Sequence, residues 1–356
     1  MKPRDGIHRA CLIFFICCSL PVLPCLAFAA NDAPGPAVEK EPGGRQLWDG
    51  ANNETPESGT PKETDPGKPE DAAKRGTGLF PGSRLFPASI ADPRRAAFSG
   101  GLRYHDDAFN RFRTRYGSDS HVLGSDRMFG AVSLGARLPL YRWDVKKGYL
   151  QAEIEGCVWA IFAFKKPRGW LREGSTLLNA DYSMAFITSY SYNSLALQLR
   201  FWHLSSHLGD EFMQLYPEIW RKNVSNEGID LFVSYAIIRQ VRLFAGLGCV
   251  YHSFSGAKFD PFYVEYGAEF RPFGAVGVAK NVNFQPFIAA HLKNWQNNHF
   301  AINGNYSIGI EFEATRESFT PKMQLFFTFS HGPSQEGQFY HFSTTYYSLT
   351  LTFQLI

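Results

Sequence analysis

The amino-acid sequence predicts a transmembrane antiparallel β-barrel of about twelve strands, and three observations carry that expectation. Apolar and polar residues alternate with period two from about residue 95 to the end. Aromatic residues make up 15% of the chain while the mean hydropathy is −0.22. The segments between the alternating runs are long at one end of the would-be barrel and short at the other. A soluble core hides its aromatics among aliphatics, whereas a membrane barrel spreads them in girdles around a polar lumen.

The last run shows the alternation plainly: Tyr347, Leu349, Leu351, Phe353 and Leu355 interleave with Tyr346, Ser348, Thr350, Thr352 and Gln354. Another sets Ile302, Tyr306, Ile308, Ile310 and Phe312 against Asn303, Asn305, Ser307, Glu311 and Glu313. One apolar and one polar face is what a sheet needs with lipid outside and water or ion pairs inside. Such runs lie near 96–104, 127–139, 148–164, 177–189, 193–206, 228–238, 240–254, 262–272, 281–293, 301–314, 322–331 and 344–355. Their number is even, as in single-chain bacterial barrels with both termini in the periplasm. If the first run leads outward, the outer connections are 105–126, 165–176, 207–227, 255–261, 294–300 and 332–343. The inner ones are 140–147, 190–192, around 239, 273–280 and 315–321, mostly shorter, as the barrel requires. A secreted β-sandwich would have strands nearer five or six residues long.

Ahead of the barrel, Lys2, Arg4 and Arg9 precede an apolar run from Cys11 to Phe28 that ends Ala27-Phe28-Ala29. This has the form of a secretory signal peptide cleaved after Ala29 or Ala30, so residues 1–30 leave the mature chain. Pro21 and Pro24 argue against a retained anchor, and Pro24 before Cys25 against a lipoprotein. Residues 31–78 are rich in Pro, Gly, Thr and charge with almost no aliphatics, and cannot offset the entropy of ordering. They are expected to form a disordered linker before a barrel with an N-terminal lead-in over 79–356. No stretch after residue 30 is long and apolar enough for a membrane helix. Of six cysteines only Cys157 and Cys249 survive cleavage, which is no disulfide framework.

A net charge of +3 gives no case for nucleic acid as a partner, which would need a concentrated basic face. The inward positions carry Arg137, Glu153, Glu155, Arg200, Arg242, Glu265, Glu269, Arg271, Lys293, Glu311 and Glu313. Both signs on one face predict ion-paired filling of a narrow interior, since a buried charge persists only when partnered. A wide diffusion pore is not expected at this strand number.

Chemistry is concentrated in the fifth run, Leu195-Ala196-Leu197-Gln198-Leu199-Arg200-Phe201-Trp202-His203-Leu204-Ser205. Parity puts His203 and Ser205 on the lipid-facing side with the leucines, two residues apart at the outer rim. A His beside a Ser can act as base and nucleophile toward an acyl carbonyl, given a third group to orient the imidazole. On the sixth run Ile229, Leu231, Val233, Tyr235 and Ile237 face lipid, so the same parity turns Glu227 outward and, if the run extends, Asn223; Asn226 would face inward. His and Ser are also ordinary residues at an aqueous rim. Asp210 and Glu211 in the following stretch could hold a divalent cation such as calcium, or could simply be solvated.

The stretch Leu85-Phe86-Pro87-Ala88-Ser89-Ile90-Ala91-Asp92-Pro93-Arg94, with His203-Leu204-Ser205-Ser206-His207-Leu208-Gly209-Asp210-Glu211, resembles an uncharacterised bacterial family of outer-membrane proteins classed as a domain of unknown function. The resemblance covers about 79–356 and implies a fold and a location. More distantly, the chain is similar to outer-membrane phospholipase A and the lipid A deacylases. In those barrels a His-x-Ser pair sits on the lipid-facing wall near the outer rim, completed by an Asn or a Glu. The resemblance implies lipid acyl hydrolysis with Ser205 as nucleophile and His203 as base. It does not assign the third member, for which strand parity offers Glu227 as the orienting acid, and Ser206 to Glu211 depart from either enzyme's signature. The competing expectation is a non-catalytic barrel, either a narrow channel or a structural wall protein. Partners under either reading are outer-membrane lipids, the barrel assembly machinery and, as a homodimer, a second copy of the chain.

Overall fold

The computed structural model describes residues 77–106, 111–113, 119–121, 127–164, 175–215, 217, 221–254, 259–273, 275–279, 282–314 and 322–354. The expected signal peptide, the linker up to residue 76 and the 315–321 connection lie outside the described residues.

Twelve long strands among the described residues close into one antiparallel barrel. They are β1 (Phe98–His105), β2 (Met128–Asp144), β3 (Tyr149–Ala163), β4 (Thr176–Tyr192), β5 (Leu195–Leu208) and β6 (Val224–Ile238). The second half comprises β7 (Val241–Ser253), β8 (Phe262–Phe270), β9 (Val282–Trp295), β10 (Ile302–Ala314), β11 (Lys322–Pro333) and β12 (Ser343–Gln354). Each pairs with the next, and β12 returns to β1 with Phe353 opposite Phe98, so the sheet has no open edge. Closure is what lipid demands, because an unpaired backbone N–H or C=O there finds no water. The expected strands are all present. The main difference is β6, which begins at Val224 rather than near 228 and draws Glu227 into the sheet.

Alternation sorts the side chains as expected. Leu231, Val233, Tyr235, Ile308, Phe327 and Leu349 are exposed on the outer wall, while Glu153, Asp230, Glu269, Asn305 and Gln324 are buried inside. Cys157 faces in and Cys249 faces out, and both are free thiols. Short connections at 145–148, 193–194 and 239–240 mark one end, and longer ones at 209–223, 254–261 and 334–342 mark the other. By that asymmetry the long-loop end faces outward.

The lumen is filled rather than open. Arg137 forks onto Glu153, with Nε at 2.6 Å and Nη2 at 3.0 Å from the two carboxylate oxygens. Arg200 meets Asp230 at 2.7 Å, Arg242 meets Glu269 at 2.6 Å, and Lys293 meets Glu265 at 2.8 Å. Every charge expected on inward positions therefore has an opposite charge nearby, including Arg271 with Glu269, and Glu311 and Glu313 with Lys322. Inward glycines make room for rings: a Cβ on Gly228 would meet the Trp202 indole at 2.3 Å, and one on Gly248 the Tyr263 ring at 2.1 Å.

The lead-in completes the filling. Gly78–Leu79 pairs with Tyr141 and Arg142 at the inner end of β2, and the chain then crosses the lumen before starting β1. Phe86 packs on Ala196 and Phe232, Ile90 and Ala91 on Phe287, Ala289 and Phe326, and Ala96 on Cys157 and Trp159. Polar ties hold the backbone: Ile90 N donates to Glu269 Oε1 at 2.8 Å, and Arg242 donates to the Pro87 and Ala88 carbonyls at 3.0 and 3.2 Å. Arg94 reaches Asp181 at 2.6 Å and donates to the Gln335 carbonyl, so the lead-in meets the 334–342 connection inside the barrel. In that connection burial pushes the Glu336 carboxyl up, but Arg103 at 2.7 Å, then Arg94, pull it down to about 2.

Two outcomes follow. Arg137→Met strands the Glu153 carboxylate in the lumen and should cost about 3–5 kcal/mol in urea unfolding, whereas Arg137→Met with Glu153→Leu should recover most of it. A carboxyl held below its ordinary value of 4.5 stabilises fully above that pH and loses its contribution as pH falls toward about 2. Glu336→Gln should therefore lower the thermal midpoint at neutral pH and flatten its decline across that acid window.

Candidate functional site on the outer wall

On β5 the even residues Ala196, Gln198, Ser206 and Leu208 are buried in the lumen, which turns His203, Ser205 and His207 onto the outer wall. The same reasoning on β6 buries Val224, Asn226 and Asp230 and turns Ser225 and Glu227 outward. Register makes neighbours of these residues. His203 lies directly opposite Glu227, and Ser205 directly opposite Ser225. All sit near the ends of their strands at the long-loop rim.

The imidazole of His203 presents Nδ1 to Glu227 Oε1 at 3.8 Å. That leaves Nε2 as the nitrogen free to take a proton. The separation exceeds a hydrogen bond, as catalytic contacts often do without substrate. Among the described residues His203 and Ser205 share no hydrogen bond. Two-residue spacing on a strand puts their Cα atoms about 6.6 Å apart, so bringing Nε2 to the hydroxyl rests on side-chain rotation.

A further residue joins the row. Glu227 pairs on its other side with His252 of β7, whose Nδ1 lies 3.6 Å from Glu227 Oε2. Parity alone misplaces this residue. Phe244 and Val250 are buried, so a regular strand would send His252 into the lumen as well. Instead β7 carries a bulge: Val250 pairs with Gly228 and His252 with Glu227, leaving Tyr251 as the extra residue. The inserted residue flips the alternation, so His252 points outward and Ser253 inward, where its hydroxyl donates to Asn226 at 2.8 Å. The carboxylate of Glu227 thus lies between two imidazoles on adjacent strands.

The other candidates fall elsewhere. Asn226 is buried in the lumen, and Asn223 lies exposed in the connection before β6. Asp210 and Glu211 occupy the first turn of a six-residue helix, Asp210–Leu215, and are exposed. Among the described residues no three His, Cys, Asp or Glu side chains are grouped to hold a metal ion. The helix packs Phe212 into an apolar cluster with Phe129, Leu178, Leu208 and Phe339 just inside the mouth.

The chain belongs to the family described as protein of unknown function (DUF1207), whose profile matches residues 50–355. No curated protein matches it in sequence. Among solved structures it is similar to the Salmonella typhi outer membrane phospholipase (OMPLA) dimer with bound calcium, at 9% identity and a TM-score of 0.44, over 73% of this chain and 93% of that one. LpxR from Salmonella typhimurium matches at 10% identity and a TM-score of 0.34, over 72% and 99% of the two chains. An outer membrane channel from Pseudomonas putida F1 matches at 10% identity and a TM-score of 0.38, over 76% and 100%. These likenesses are of fold alone.

Facing is directly measurable. In a Cys249→Ala background, cysteine placed at 203, 205 or 252 should react with a thiol reagent dissolved in the detergent phase. Cysteine at 204, 226 or 253 should be protected. Labelling at 253 with protection at 252 would refute the bulge.

Proposed function

We propose that this member of the DUF1207 family is an outer-membrane acyl hydrolase that attacks phospholipid or lipid A from its lipid-facing wall. The observation that carries this reading is the outward row in which Glu227 faces His203 Nδ1, with Ser205 next along the same strand face. Ser205 is the proposed nucleophile. As its oxygen bonds to the acyl carbonyl carbon, His203 Nε2 takes the hydroxyl proton, and Glu227 stabilises the imidazolium through Nδ1. The imidazolium then returns the proton to the departing lipid alcohol, leaving an acyl-Ser205 ester. Water attacks this ester with His203 again as base, which releases the fatty acid and restores the serine. Ser225, across from Ser205, offers a neutral hydroxyl toward the oxyanion.

Calcium belongs to the same proposal as an accessory. Asp210 and Glu211 would need further oxygen ligands from lipid or solvent, and their contribution would read out as release lost in chelator and restored by calcium. A homodimer would cover part of this wall.

One observation favours the alternative, a non-catalytic wall protein: the missing hydrogen bond between His203 and Ser205 among the described residues. A wide channel is the poorer alternative, because the lead-in and the ion pairs occupy the lumen. Fatty-acid release from mixed micelles separates the readings. The wild-type barrel should release fatty acid, Ser205→Ala should abolish release with heat-modifiable folding intact, and His203→Ala should lower kcat by roughly 10²–10⁴. Equal release from wild type and Ser205→Ala would exclude Ser205 as nucleophile.

A further inference from the structure

The outward face of β5 continues one step past Ser205 to His207, and a cation waits there. Arg221, exposed in the connection before β6, brings Nη2 to 2.9 Å from His207 Nδ1. A guanidinium is always a donor, so His207 Nδ1 is the acceptor, and the ring's proton is thereby fixed on Nε2. Both groups then present N–H donors: the imidazole through Nε2, and Arg221 through its remaining N–H groups. Among the described residues Arg221 has no acidic partner, and the nearby Asp210 and Glu211 make no hydrogen bond to it. Most of the acids and bases expected on inward positions are ion-paired, whereas on the outer face Arg221 stands without an acid among the described residues.

Its height is informative. Tyr182 of β4 lies opposite Ser205, is 46% exposed, and meets the His207 ring edge-on at 5.9 Å between centroids. Tyr182 lies in the outer half of β4, and exposed tyrosines in the girdle of a barrel wall mark the boundary between hydrocarbon and head groups. Ser205 stands at that boundary and His207 about 6.6 Å farther out along the strand. The glycerol backbone of a phospholipid spans a comparable distance from its acyl carbonyl to its phosphate. A carbonyl held at Ser205 therefore sets the phosphate against Arg221 and His207.

We propose that His207 and Arg221 form a phosphate-recognition subsite, which selects phosphate-bearing lipids and aligns their ester with the pair below. The selection rests on reading Ser205 as the nucleophile; the binding does not. A guanidinium fork with an adjacent N–H suits the tetrahedral oxygens of phosphate better than a neutral hydroxyl head group.

The test compares phosphatidylglycerol with a diacylglycerol of the same chains, each in neutral-detergent micelles with folded barrel. Wild type should prefer phosphatidylglycerol. Arg221→Gln should raise its KM roughly tenfold or more with kcat little changed, collapsing the preference. Arg221→Lys should recover part of the loss, and Arg239→Gln, in the turn at the opposite end, should keep the preference. Competition by glycerol 3-phosphate but not inorganic phosphate would assign the subsite to the lipid head group; competition by both would extend it to the free anion. An unchanged preference in Arg221→Gln would overturn the proposal. If wild type released no fatty acid, the hydrolase reading would fail, and the subsite would be read separately in Ser205→Ala protein. Tryptophan quenching by brominated phosphatidylglycerol should weaken when Arg221→Gln is added, and equal quenching would overturn the subsite too.

Discussion

Every feature of this protein depends on one constraint: inside a bilayer each backbone amide must be paired by the chain itself. Twelve strands meet it by closing, with Phe353 of β12 beside Phe98 of β1. Closure fixes an inside and an outside, and the two-residue repeat assigns each side chain to one of them. A change of register by one residue would exchange the two sets. The position of His203 on the wall and of Arg200 in the lumen are therefore consequences of the same rule.

The inside is a densely paired interior. Ion pairs such as Arg137 with Glu153, and the network joining Arg200, Asp230, Tyr263 and Trp202, satisfy many of the polar groups that face inward. The lead-in adds apolar anchors at Phe86, Ile90 and Ala96 and polar ties at Arg94. Such an interior supports the wall. The outer rim differs, since His203, Ser205, Glu227, His252 and the Arg221–His207 pair are polar groups turned toward lipid. Polar residues there are costly to keep against hydrocarbon, which favours a role at the boundary where ester and phosphate groups lie.

Much of this was legible in the residues themselves. Alternation yields all twelve strands within a few residues, and parity alone turns His203 and Ser205 outward and Asn226 inward. The inward charges of both signs announce pairing, although which acid meets which arginine depends on register that no local pattern carries. Three things were hidden. The bulge at Tyr251 is a single inserted residue with no composition signal, yet it re-aims His252 toward Glu227. The early start of β6 lies in a polar stretch, Val224-Ser225-Asn226-Glu227, that reads as loop. The lead-in looks like irregular chain because its partners, from Ala196 to Phe326, are far away in sequence.

The central claim is that the wall carries a reactive serine. It is tested most directly by treating the folded barrel in micelles with an alkyl fluorophosphonate and locating the adduct by mass spectrometry. The account predicts modification at Ser205, lost in His203→Ala protein that still folds. A folded barrel left unmodified at Ser205, or modified there equally without His203, would contradict it.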